Sequence, residues 1–336
     1  MTSQNHFPWA GALLGIVTAL LLYALLPSSP ASAQNYPSKN ITIVVPLAAG
    51  TGMDSIVRIY AEQLQKFLGK PVIVENQPGS AMQLGTAAVG RAAPDGHTLL
   101  VTSNGALAVA PVLSKKINYD PVNGFAPIAL YVKSPFILIV DPKLPVRSVA
   151  DLIKLAKESS PPLTYSTPGS GSVQHLSMES MKQRFGVDIT HVPYRSTPQS
   201  ITDIVGGHVK SSLAEAGATL SLIREGQLRA LAVSSSTRLA SLPEIPTIAE
   251  AANAPNFEAS GWHALFAPAG TPDVIIGILR KEIERITATP EFKKRASDIG
   301  LIPIDTPTVV EIRSYIKSEQ EKWGALVRKL GLEGTQ

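Results

Sequence analysis

Between Ile41 and Gly69 the chain lays down a pattern that it then repeats, and this pattern limits the fold more than any other feature. Ile41-Thr42-Ile43-Val44-Val45 is a β-branched run ended by Pro46, the composition of a buried strand. A short glycine-bearing loop follows. From Asp54 onward apolar residues recur every three or four positions, at Ile56, Ile59, Tyr60, Leu64, Phe67 and Leu68. That spacing makes one apolar helix face, and Gly69 ends the helix as a C-terminal cap. Val72-Ile73-Val74 is the next strand.

The alternation continues along the chain. Leu99-Leu100-Val101 and Phe136 to Val140 read as strands. Ser148 opens a helix, with Asp151 three residues on as a capping signature. Leu163-Thr164-Tyr165, Ile189 to Val192 and Leu228 to Val233 are further strands. Thr197-Pro198, Thr271-Pro272 and Thr306-Pro307 each predict a helix start, with proline at the first helical position. Val309 to Leu330 is a charged amphipathic helix. Strands alternating with helices predict an α/β protein with mixed, mostly parallel sheets.

The amino-terminal segment is separate from this pattern. Trp9 to Leu26 is nearly all apolar, Pro27-Ser28-Ser29-Pro30 breaks the run, and Ala31-Ser32-Ala33 is a small-x-small cleavage site. A signal peptide over residues 1–33 is expected, with Gln34 first in the mature chain. Met1 to Pro8 contains no Lys or Arg, and the alternative is an uncleaved anchor. About 300 residues remain, the length of two domains.

Composition excludes several functions. The 336 residues include no cysteine, which removes disulfides, zinc thiolates, iron–sulfur sites, cysteine nucleophiles and lipid attachment. The net charge is +4, and the basic residues are scattered, with Lys115-Lys116 and Lys293-Lys294-Arg295 the densest groups. A nucleic-acid footprint needs a basic stripe, so no nucleic-acid partner is expected. A mildly basic chain still favours anionic ligands.

Two glycine loops carry the chemistry. The first runs from Pro46 to Asp54 through Gly50-Thr51-Gly52-Met53, between a strand and a helix N-terminus. Backbone N–H groups and the helix dipole favour an anion there. It does not match a dinucleotide loop, because Ser55 stands where the third glycine belongs, and it has no Gly-Lys-Ser/Thr. Thr51 or Asp54 acting only as a helix cap is the plain alternative. The second loop is Tyr165-Ser166-Thr167-Pro168-Gly169-Ser170-Gly171-Ser172, followed by Val173-Gln174-His175. Its hydroxyls and glycines offer neutral donors suited to a carboxylate. A Ser/Gly linker is the alternative there. Gly169-Ser170-Gly171-Ser172-Val173 fails the Gly-x-Ser-x-Gly elbow of a hydrolase, and Ser172 with His175 lacks an orienting acid. The six histidines show no ligand spacing, so neither a metal nor a cofactor is expected.

In order along the mature chain, several fragments together resemble the Bug family of extracytoplasmic solute receptors of tripartite tricarboxylate transporters. They include Gly50-Thr51-Gly52-Met53-Asp54, Val74-Glu75-Asn76-Gln77-Pro78-Gly79 and Arg91-Ala92-Ala93-Pro94-Asp95-Gly96. Gly169-Ser170-Gly171-Ser172, His191-Val192-Pro193-Tyr194 and Leu265-Phe266-Ala267-Pro268-Ala269-Gly270-Thr271-Pro272 follow. The resemblance implies a two-lobed periplasmic binding protein, a Venus flytrap, that closes on a small organic carboxylate. It implies lobe 1 from residues 36–134 and 260–336, and lobe 2 from residues 135–259. The ligand would be a di- or tricarboxylate, an amino acid or an aromatic acid, delivered to membrane permease subunits by a monomeric, non-enzymatic receptor. A ligand-sensing co-receptor for a sensor kinase is the alternative role.

By the same resemblance the cleft is lined by Ala48, Ala49, Thr51, Gly52, Met53 and Asp54 of the first loop and by Thr102, Ser103 and Asn104. Ser166, Gly169, Ser170, Gly171, Ser172 and His175 line it from the second loop, with Tyr194 as a wall. Ala214-Glu215 stands where the family commonly has an Asp-Asn pair facing the cleft, and Arg195-Ser196 where it usually has lysine-glycine. These departures bear on which ligand is chosen.

Overall fold

The β-branched run at Ile41 forms β1 (Ile41–Val45) of a computed structural model, which describes residues 36–79, 82–194 and 197–336. The proposed leader at 1–33 lies outside the described residues, as do Ser80, Ala81, Arg195 and Ser196. After the first loop comes α1 (Gly52–Leu68). Thr51 caps it by accepting from the Asp54 N–H, and Gly69 ends it in the left-handed region at φ 66°. The apolar stripe buries Ile56, Ile59, Tyr60 and Leu64. Phe67 instead stays 39% exposed, covered by the Arg285 guanidinium 3.7 Å from its ring centre.

The chain continues through β2 (Val72–Asn76), α2 (Gln83–Gly90) and β3 (Thr98–Thr102). A π-helical turn at Gly105–Val109 runs into the short α3 (Ala110–Leu113). Two strands then follow almost end to end, β4 (Phe125–Ser134) and β5 (Phe136–Val140). The second half holds α4 (Val149–Glu158), β6 (Leu163–Thr167), α5 (Val173–Phe185), β7 (Ile189–Pro193) and α6 (Thr197–Val205). It goes on with β8 (Ser211–Glu215), α7 (Ala216–Arg224), β9 (Arg229–Val233) and α8 (Ile248–Ala251). The chain closes with β10 (Gly261–Pro268), α9 (Asp273–Thr287), α10 (Pro290–Asp298), β11 (Ile302–Pro303) and α11 (Val309–Lys329).

These strands make two mixed sheets, in the orders β11-β4-β10-β3-β1-β2 and β7-β6-β8-β5-β9. Parallel pairing is confined to β1 with β2 and β3, and to β6 with β7 and β8. Antiparallel pairing surrounds β10 in the first sheet and β5 in the second. The crossovers explain the difference. The parallel pairs β1–β2 and β6–β7 are each joined by a helix, whereas β4 enters β5 directly and β10 re-enters the first sheet from the second. Pro135 alone separates β4 from β5, whereas residues 234–260, with α8 among them, lie between β9 and β10.

Two helix starts differ from expectation. Pro272 is the boundary residue of α9 and not its first turn, because the Thr271 hydroxyl donates back to the Pro268 carbonyl. The last helix begins at Val309, two residues after Pro307. Thr308 and Glu311 form a capping box, and Arg280 Nη2 donates to the Pro307 carbonyl at 2.7 Å, fixing that stretch as loop. Along α11 the buried residues Ile312, Ile316, Glu319, Trp323 and Val327 follow helical spacing. Trp323 and Val327 share one buried cluster with Val109 and Leu113 beside the first sheet and with Leu138 and Leu176 of the second. The helix thus ties both sheets to a common core.

Candidate functional site

The first loop is held by its own aspartate. The Asp54 carboxylate accepts from the Gly50 N–H at 2.9 Å, from Asn76 Nδ2 at 3.0 Å and from Arg58 Nη2 at 2.9 Å. Burial by itself would raise its pKa, but the Arg58, Gly50 and Asn76 hydrogen bonds and the Arg58 charge outweigh that and hold it below the usual carboxylate range. Capping by Thr51 leaves the loop backbone facing outward at the start of α1.

The second loop leaves β6 and enters α5. Ser172 caps α5 by accepting from the His175 N–H at 3.2 Å. Gly169 and Gly171 have φ of 130° and 74°, which glycine adopts without strain. The Gly171 N–H donates to His175 Nδ1 at 3.0 Å. His175 stacks on His191 with ring centres 4.1 Å apart, and His191 stacks on Tyr165 at 5.0 Å. His191 Nε2 lies 2.6 Å from the Thr167 hydroxyl, and Tyr165 donates to Glu179 at 2.6 Å. This column props the loop from behind. Burial drives the His175 pKa down, and burial with the neighbouring His175 charge drives His191 down to about 4, so the pair stays neutral near pH 7.

The two loops face a cavity of about 430 Å³. Thr51, Met53, Ser103, Asn104, Gly169, Ser170, Gly171, Ser172 and Glu215 line it, of the residues that the sequence proposed. The others do not. Ala48 and Ala49 are exposed beyond its rim, and Gly52 lies off the wall. Asp54 turns inward to its three partners. Thr102 and Ser166 are inside strand ends with no accessible surface. His175 lies behind the loop, not in front of it. Tyr194 donates its hydroxyl to Asp203 at 2.6 Å. Ala214 points to the opposite face of β8 from Glu215, because side chains alternate along a strand, and packs with Ile137 and Ile139.

Other wall residues gave no local signal. Leu47, Met82, Leu113, Phe136, Thr197, Trp262, His263 and Gln336 come from segments far apart in sequence. Trp262 donates its indole N–H to buried Glu319 at 3.1 Å, which aims that part of the floor. His263 is buried, and burial alone brings its pKa down to about 4. Among the described lining residues there is no Lys or Arg, and Glu215 has the one side-chain carboxyl. The wall therefore offers hydroxyls, amides and backbone N–H groups, with the N-caps of α1 and α5 both present. Such a wall can hold an anion by neutral donors and helix dipoles. It has no nucleophile poised for reaction: the Ser172 hydroxyl meets the backbone of His175, and the His175 ring nitrogen is taken by Gly171.

A family model described as the tripartite tricarboxylate transporter family receptor matches residues 56–332. The chain belongs to that family. The receptor shares 34% identity with BugT of Bordetella pertussis over 321 residues, 95% of this chain and 97% of BugT. It superposes on the solved periplasmic binding protein BugD with a TM-score of 0.77 at 30% identity, covering 89% of this chain and 99% of BugD. MatC of Rhodopseudomonas palustris with bound malate gives a TM-score of 0.74 at 29% identity, covering 87% of this chain and 100% of that one. The receptor is thus a solute-binding protein of the periplasmic type and not an enzyme.

Proposed function

We propose that this receptor captures a small organic carboxylate between the two sheets and presents the closed form to membrane permease subunits. The observation that carries this is the cavity wall: two glycine-bearing loops, one from each sheet, converge with neutral donors and two capped helix starts. Only a closed cleft lets one ligand touch both loops, and that difference in contacts is what drives closure. The malate bound by MatC fits the same ligand class. Residues 36–134 with 260–336, and residues 135–259, act as the two closing bodies. The leader is cut after Ala33, which releases the receptor into the periplasm.

A thermal-shift screen against small carboxylates tests the binding. Ligand at about 100 times its dissociation constant adds roughly 2.7 kcal/mol of stability. No shift with any carboxylate would overturn the ligand class. Small-angle scattering with a bound ligand tests closure, and an unchanged radius of gyration would count against it. N-terminal mass spectrometry of secreted protein checks the cleavage point.

A further inference from the structure

Among the described residues, several buried or half-buried carboxylates are matched by donors, and the one in the cavity wall is not. Asp54 has Arg58, Asn76 and the Gly50 N–H. Glu179 accepts from Tyr165 and Lys182, and Glu319 accepts from Trp262 and Trp323. Among the described residues none makes a hydrogen bond or ion pair with the Glu215 carboxyl, and burial alone raises its pKa. Among the described residues it is also the side-chain carboxyl that lines the cavity. Its position is fixed: Glu215 ends β8 opposite Phe136, at the passage between sheets, and its carbonyl accepts from Thr219.

An unmatched carboxylate in a partly desolvated wall is costly, and a ligand that supplies the missing donor removes that cost. We propose that Glu215 selects the ligand, favouring a carboxylate that also bears an ammonium group and rejecting a second carboxylate. The inference rests on the carboxylate-capture reading and narrows it. The ligand's carboxylate goes to the hydroxyl and N–H donors of the wall, at Ser103, Ser170 and Ser172. Its ammonium group then meets Glu215 in the same cavity. A dicarboxylate would instead put like charges together in a low-dielectric site.

Titration calorimetry of the purified protein at pH 8 tests this with two matched series. One holds succinate and glutarate; the other holds 4-aminobutanoate, 5-aminopentanoate and neutral α-amino acids. At least one amino acid is expected to bind ten times more tightly than either dicarboxylate. Glu215→Gln should weaken that binding at least tenfold and strengthen dicarboxylate binding. The variant should fold as well as the parent, since the Glu215 side chain makes no bond among the described residues, and its melting temperature checks this. Tighter binding of a dicarboxylate, or an unchanged amino-acid affinity in Glu215→Gln, would overturn the role of Glu215 while leaving carboxylate capture standing. Binding of neither series would refute both.

Discussion

Gly171 of the second loop packs against Leu113 of α3. A Cβ added there would lie 2.3 Å and 2.7 Å from the two methyl carbons of Leu113. Leu113 is only 2% exposed and so has little room to move. The φ of 74° adds strain for any side chain. Gly171→Ala thus incurs two costs: about 1–2 kcal/mol for a left-handed alanine and about 1–3 kcal/mol for overpacking against Leu113. Gly186 supplies the control. It has φ of 61° but nothing within 4 Å of a new Cβ. Gly186→Ala incurs the strain alone, offset in part by the stiffer unfolded chain. The difference between the two variants isolates the close approach of loop to Leu113. Urea unfolding followed by circular dichroism should place Gly171→Ala about 1–3 kcal/mol below Gly186→Ala. Equal losses would show that the loop does not rest on Leu113 in solution. Ligand affinity is a second readout. Gly186 caps the far end of a 13-residue helix, about 20 Å from the loop, so Gly186→Ala should leave affinity unchanged while Gly171→Ala lowers it.

Three other perturbations probe separate parts of the argument. Glu319→Ala leaves the buried indole N–H groups of Trp262 and Trp323 without their acceptor and should cost about 3 kcal/mol; a loss under about 1 kcal/mol in thermal unfolding would refute that pairing. Asp54→Asn removes the charge that Arg58 and the Gly50 N–H engage. Because the native pKa is depressed, Asp54 stabilises fully above about pH 4 and loses that effect as pH falls through its native value. The variant should therefore show a flatter stability profile below pH 4 than the parent, and a profile of the same slope would argue against the loop clamp. His263 is held neutral with its pKa at about 4, below its unfolded value of about 6.5. Its contribution is complete above about pH 6.5 and declines by up to about 3 kcal/mol as pH falls toward 4. Replacing it with Gln should remove part of the acid sensitivity, His191 retaining the rest, and an unchanged pH–stability curve would mean that His263 is solvated.

Much of the scaffold was legible because its signals are local. The run at Ile41, the stripe from Ile56 to Leu64, the Gly69 stop and the Ser148 cap each lie within one turn or strand of their partners. Period and capping chemistry are enough to read such features. β4 and β10 were not legible. β10 is buried along its whole length, so it lacks alternation, and β4 carries Pro127 within a similarly buried run. The family fragments identified the two loops, but they did not say which atoms each loop would present.

That was decided by distant contacts. Asp54 belongs to its loop's internal clamp because Asn76, 22 residues on, reaches it. His175 backs the wall because His191 and Tyr165 stack behind it. Ala214 and Glu215 are adjacent in sequence, yet strand alternation sends one into the core and the other into the cavity. Phe136, Trp262 and Gln336 meet at one wall from three parts of the chain. Local sequence determines which elements form, since helix and strand preferences act over a few residues. A cavity is what remains between elements after they pack, so its walls, its unmatched carboxyl and its ligand preference exist only once the two sheets have been brought together.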